Sequence, residues 1–125
     1  MKLLLDTHVL LWWLDNPALL SEDARDAISE PTNDVFVSSA VAWEIAIKRG
    51  LGKLTAASDL ESAIQACDFR MLPITMAPAL ATESLPPHHR DPFDRLLIVQ
   101  ALDEGLTILT ADRAFEPYRV PVVWA

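Results

Sequence analysis

At 125 residues, with 51% hydrophobic and 22% charged side chains, the chain can bury one sizeable core and is too apolar to stay disordered. A formal net charge of −8 excludes a broadly basic nucleic-acid-binding surface and suits a basic protein partner. The single cysteine, Cys67, excludes an intramolecular disulfide and asks for no oxidising compartment.

No repeat or low-complexity run divides the chain, so residues 1–125 read as a single domain. The opening MKLLLDTHVLLWWL has the outline of a signal peptide. Asp6 interrupts it after three leucines, Asp15 follows, and no small-residue cleavage site appears. With no run of about 20 apolar residues, the expectation is a cytoplasmic protein with no membrane segment.

Lys2 to Leu5 reads as a strand ending at Asp6, and the apolar run Val9 to Leu14 as a short helix stopping at Asn16-Pro17. Ser21 to Ser29 reads as a second helix, capped by Ser21 with Glu22 and Asp23 in its first turn. Val35 to Val37 is a β-type run. Ser38 or Ser39 then caps a helix running to about Arg49, with Gly50 and Gly52 as stop signals.

Ala57 to Ala66 reads as a helix with Ser58 near its start, Arg70 to Ile74 as a strand, and Thr75 to Ser84 as a short helix. Asp91-Pro92 opens a helix that stops at Gly105 and is apolar on nearly every side, hence central. Thr107 to Leu109 and Val120 to Val123 complete the strands. Short apolar strands alternating with helices specify an α/β fold with a mainly parallel sheet covered on both faces. In such sheets, sites form at the carboxyl ends of the strands.

Four acids stand at element ends. Asp6 ends the first strand and Asp112 follows the strand Thr107 to Leu109. Glu44 lies inside the helix after Val35 to Val37, and Asp94 is in the first turn of the central helix. Gathered carboxylates repel one another, and a divalent cation removes that cost. An acidic set without Cys or paired His ligands points to Mg²⁺ or Mn²⁺ rather than zinc. Such ions activate water and stabilise the leaving oxygen in phosphodiester cleavage.

Each acid also has an ordinary reading: a cap for Asp6, a solvated helix face for Glu44, a turn for Asp112. For Asp91 the helix-cap reading leads, because D-P-F-D sets two acids three apart at a helix start. His88 and His89 are adjacent, so their side chains do not converge, and both read as loop residues outside the chemistry. His8 is placed to orient Asp6 or to serve the first helix. Trp12, Trp13, Trp43 and Trp124 read as core or interface residues, and Cys67 as a small packing residue.

Taken in order, these motifs resemble the PIN-domain family, and within it the VapC-like toxin ribonucleases. Leu3-Leu4-Leu5-Asp6-Thr7-His8 resembles the family's opening strand and D-T-N or D-T-H. Ser38 to Glu44 is similar to S-x-x-x-x-x-E. His89-Arg90-Asp91-Pro92-Phe93-Asp94-Arg95-Leu96-Leu97 resembles a VapC-like subgroup. Thr110-Ala111-Asp112-Arg113-Ala114-Phe115 resembles T-x-D-x-x-F. The resemblance spans residues 3 to 115. It implies a three-layer α/β/α domain with a central parallel sheet of about five strands, and a Mg²⁺- or Mn²⁺-dependent endoribonuclease.

By position, Asp6, Glu44, Asp94 and Asp112 match the family's acidic quartet. Asp94 is preferred to Asp91 because its spacing to Ala101 fits D-x-x-x-x-x-x-A; Asp91 is left a contribution through water. Thr110 matches a residue that supports the last acid, and His8 stands where Asn is more usual. Lys48, Arg90, Arg95 and Arg113 lie near the motifs and are candidate phosphate contacts. The resemblance further implies an RNA substrate, a homodimer, and a VapB-like antitoxin that inserts a segment near the acidic site. A haloacid-dehalogenase-type enzyme is disfavoured because His8 stands where its second Asp belongs. A receiver domain is disfavoured because Asp6 stands alone. A non-catalytic PIN-like binding module is the remaining alternative, against which all four acids are present.

Overall fold

In the computed structural model of the chain, residues 1–55 and 59–125 are described. Lys2–Leu5 forms strand β1, and Leu3, Leu4 and Leu5 have no exposed surface. Successive strand residues point to opposite faces, so burial of all three requires a layer on each side of the sheet. Around β1 the chain adds α1 (Thr7–Asp15), α2 (Glu22–Ser29), β2 (Asp34–Ser38), α3 (Ser39–Gly50), α4 (Leu60–Ala66) and β3 (Arg70–Leu72). It continues with α5 (Met76–Ala81), α6 (Pro92–Glu104), β4 (Thr107–Thr110) and β5 (Val122–Trp124).

The five strands form one sheet in the order β3-β2-β1-β4-β5, parallel throughout. This is the expected α/β/α architecture. Leu3 pairs with Val35 of β2 on one side and Thr107 of β4 on the other. From β1 the chain builds outward to β2 and β3, then crosses back to place β4 and β5 beyond the opposite edge of β1. The strand order therefore reverses at β1, and a crevice opens beyond the carboxyl ends of β1 and β4. Among the described residues no helix is long and apolar enough to cross a membrane.

Caps fix the helices that frame the crevice. The Ser38 hydroxyl accepts from Ala40 N–H at the start of α3 and donates to Gln100 Oε1 (2.6 Å), tying α3 to α6. Asp91 caps α6, with Pro92 at its first position. Gly105, at φ 68°, takes the left-handed conformation that ends α6 cheaply only with glycine.

Several boundaries move from the sequence reading. The first helix begins at Thr7 because Asp6 itself is the cap. Gly50 is the last residue of α3, and the left-handed glycine is Gly52 at φ 70°. Thr75 to Ser84 divides into α5 and a 3₁₀ turn at Thr82–Ser84, and the last strand is Val122–Trp124. Pro121 lacks the N–H a strand interior needs, although its carbonyl accepts from Ile108 N–H. Asp59 caps α4, so the expected earlier start at Ala57 and Ser58 lies outside the described residues.

Candidate active site

Asp6 leaves β1 with a buried side chain, only 4% exposed. Its Oδ1 accepts from Val9 N–H (2.8 Å) and its Oδ2 from the Thr110 hydroxyl. Burial pushes the Asp6 carboxyl up, against the lowering effect of those two bonds. Thr110 ends β4 with its side chain fully buried, and its hydroxyl oxygen also accepts from Asp112 N–H (3.0 Å). One hydroxyl thus fixes the acid after β1 and the turn carrying the acid after β4. Asp6, Asp112, His8, Trp12 and Ala111 line a shared cavity of about 280 Å³.

Glu44 is also buried, one and a half turns into α3. Its Oε1 accepts from the Thr7 hydroxyl (2.5 Å) and its Oε2 pairs with Lys48 Nζ (2.6 Å), one helical turn away. The hydrogen bond to Glu44 is the chief cause holding the Lys48 ammonium above its ordinary pKa, with Asp91 and Asp94 adding to it. Lys48 is therefore a counter-charge built into the cluster.

Asp94 is also held against ionisation. Burial first, then the negative charges of Asp91, Asp6, Glu44 and Asp112, push its carboxyl up to about 8. Those neighbours show that the acids after β1, on α3, on α6 and after β4 converge in one electrostatic site. Asp91 caps α6, its Oδ1 accepting from Phe93 N–H (2.8 Å) and Asp94 N–H (3.1 Å).

His89 also enters this cluster, although its adjacency to His88 gave the sequence no reason to place it there. Its Nε2 lies 2.9 Å from Asp94 Oδ2 and 3.4 Å from Asp112 Oδ2. The atom is buried, and despite these distances its N–H is aligned with neither oxygen. Thr7 is a second residue whose part was missed. It lies inside the D-T-H motif, yet its bond to Glu44 joins positions 37 residues apart.

The remaining expectations divide. His8 is exposed and tilts its ring against Trp12 (5.9 Å between centroids), while Val9 and Thr110 supply the hydrogen bonds that orient Asp6. Arg95 is a correction. Its guanidinium donates to the carbonyls of Pro86, His89, Thr82 and Leu85, which occupies it structurally rather than leaving it for a phosphate. Arg113 lies 4.0 Å over the Trp124 ring and pairs with Glu116. Arg90 is exposed at the mouth of the α6 start. A larger cavity, about 440 Å³, lies at the amino ends of β2 and β3, on the sheet edge opposite the acids.

The residues present fit a divalent cation. One donor atom each from His89, Asp94 and Asp112 lies within 4.8 Å of the others. A carboxyl pushed up to about 8 by burial first and then by four neighbouring carboxylates marks negative charge gathered at this site, and Lys48 pairs with one of those carboxylates, Glu44. Oxygen donors from Asp6, Asp94 and Asp112 suit a hard cation.

A parallel α/β domain with acids placed where its strand order reverses is of the class that builds its site in the crevice beyond the carboxyl ends of the strands. The PIN domain family model matches residues 3–120, and the chain belongs to that family. It is 33% identical to Ribonuclease VapC22 of Mycobacterium tuberculosis (strain ATCC 25618 / H37Rv), over 97% of each chain. Its fold is similar to VapBC2 from Rickettsia felis bound to a promoter DNA fragment (TM-score 0.71, 16% identity, 99% and 98% of the two chains). It is also similar to DNA-bound VapBC from Salmonella typhimurium (TM-score 0.69, 19% identity, 99% and 98%).

Proposed function

We propose that this chain is a metal-dependent endoribonuclease and the toxin of a toxin–antitoxin pair. The observation that carries the chemistry is the convergence of Asp6, Glu44, Asp94 and Asp112 at the strand-order reversal. Sequence similarity to a VapC ribonuclease supports RNA as substrate, and structural similarity to VapBC complexes supports a VapB-like antitoxin as partner. The acidic crevice is a natural seat for an Arg or Lys from that antitoxin. A homodimer acting on cytoplasmic RNA completes the reading.

Asp6, Asp94 and Asp112 are assigned as the groups that hold Mg²⁺ or Mn²⁺. Bound there, the cation supplies an activated water and charge neutralisation for the attacked phosphodiester. Asp6 is pre-oriented by Val9 and Thr110, so its free lone pairs face the crevice without reorganisation. Glu44, clamped by Thr7 and Lys48, adds negative charge from the α3 side and a carboxylate within reach of a proton released there. Lys48 and Arg90 are the cations best placed to meet the substrate backbone.

The test is cleavage of total cellular RNA by purified protein with Mg²⁺, with Mn²⁺ and with EDTA, beside Glu44→Gln and Asp6→Asn. The expected result is cation-dependent cleavage lost in both folded variants. Full cleavage by folded Asp6→Asn would remove the assignment, and no cleavage by antitoxin-free wild type would favour a binding module.

A further inference from the structure

Helix α1 begins on a residue of the acidic set. Asp6 caps it, its Oδ1 accepting from Val9 N–H (2.8 Å), and at the other end Asn16 N–H donates to the Trp12 carbonyl (2.8 Å). His8 and Trp12 lie one turn apart on this helix, their ring centroids 5.9 Å apart and their planes tilted by 46°. His8 is exposed, whereas Trp12 is half-buried and packs against the core. The Trp12 ring is therefore held in a fixed place relative to the Asp6 carboxylate.

Both rings line the cavity of about 280 Å³ that Asp6, Ala111 and Asp112 complete. No lysine or arginine is among these five residues, so the cavity offers a phosphate nothing beyond a cation held by Asp6 and Asp112. What it adds is an aromatic wall, and Ala111 takes up only the space of a methyl group. A nucleobase is the flat, uncharged part of a nucleotide, and aromatic side chains take up the unstacked bases of single-stranded RNA by stacking. With a cation bound to these carboxylates, their charge no longer draws a guanidinium, and the ring faces remain as the attraction.

We propose that this cavity is a nucleobase subsite, with Trp12 as the stacking platform and His8 at its exposed edge, for the nucleotide whose phosphate meets the acids. This rests on the nuclease reading of the site and adds to it the group that grips the substrate beside the cut.

Two arms test it, both in Ca²⁺. In the first, fluorescence anisotropy compares a short single-stranded RNA with a sugar–phosphate chain of equal length that carries no bases. Trp12→Leu lowers affinity for the RNA about tenfold or more, the scale of one lost base–aromatic stack, and leaves affinity for the abasic chain unchanged. Trp12→Phe, which keeps a ring, retains most of the RNA affinity. In the second, ¹H–¹⁵N NMR of the wild-type protein follows the Trp12 indole N–H, assigned by its loss in Trp12→Phe. That signal moves on adding the RNA and stays in place on adding the abasic chain.

Equal loss of affinity for both chains in folded Trp12→Leu would give the ring a purely structural role and overturn the proposal, as would an indole signal that RNA leaves unmoved. Unchanged RNA affinity with weakened capture of the coexpressed antitoxin would assign the cavity to the protein partner instead. Cleavage of total RNA by the wild type separates the two readings. If it persists, a failed subsite leaves the nuclease standing; if cleavage and RNA binding are both absent, both readings fall.

Discussion

Thr110 carries more than its size suggests, because a single hydroxyl serves Asp6 as donor and Asp112 N–H as acceptor. Thr110→Val keeps the shape and removes both bonds, leaving a buried carboxylate oxygen and an N–H without partners. The expected cost is about 1–3 kcal/mol of stability and about 10–100-fold in cleavage, read by thermal melting and single-turnover assays. Asp94 gives a prediction of the opposite sign. Its folded value of about 8 stands above its ordinary 3.8. Between those values the folded chain keeps a proton that the unfolded chain has released, so this group's contribution to stability falls as pH rises from about 4 to 8. Without cation at pH 8, Asp94→Asn is expected to melt higher than wild type, by about 2–8 °C for each kcal/mol relieved. Mg²⁺ should narrow or reverse the gap, since only wild type retains the ligand. Equal melting of the two metal-free proteins across that pH range would show that Asp94 carries no such strain.

Elements rather than single residues decide which parts of the site could be read from sequence. The strands were legible because Leu3–Leu5 and Thr107–Leu109 are short, apolar and followed by polar breaks, and α6 because Asp91-Pro92 and Gly105 mark both ends. The convergence of the acids followed from where strands end in a parallel sheet. The loop between α5 and α6 was not legible. It carries no periodicity, and its path is set by Tyr118, 29 residues beyond His89, and by Arg95 one turn into the following helix. The same cause hid the job of Arg95, whose charge near an acidic motif suggests phosphate while its geometry serves carbonyls. Arg95→Ala is therefore expected to cost about 2–3 kcal/mol, the scale of hydrogen bonds to a charged group, and to speed proteolysis in the 82–91 segment. The salt dependence of RNA binding should not change. Arg90→Ala should do the reverse, leaving stability intact and lowering the log–log salt slope by about 0.7, one single-strand phosphate contact. A reduced slope in Arg95→Ala would return that residue to the phosphate contacts.

At the scale of the whole molecule, a protein of net charge −8 must bring a polyanion to its most acidic crevice. Steering by the overall field is unfavourable, so attraction has to be local and supplied by what the carboxylates bind. A unit-charge pair at 4 Å is worth about 1 kcal/mol even in water, and a divalent cation alters the local balance by two charges. Cation binding should therefore raise RNA affinity about tenfold or more, before any chemistry. Fluorescence anisotropy of a short RNA in EDTA, in Ca²⁺ and in hexaamminecobalt(III) at matched ionic strength separates two origins of that gain. Hexaamminecobalt(III) screens charge but cannot accept carboxylate ligands. Affinity restored by Ca²⁺ and not by the cobalt complex would mean that Asp6, Asp94 and Asp112 recruit RNA through a ligated ion. Equal restoration would reduce the crevice to a screened repulsion and shift the burden of binding onto Lys48 and Arg90.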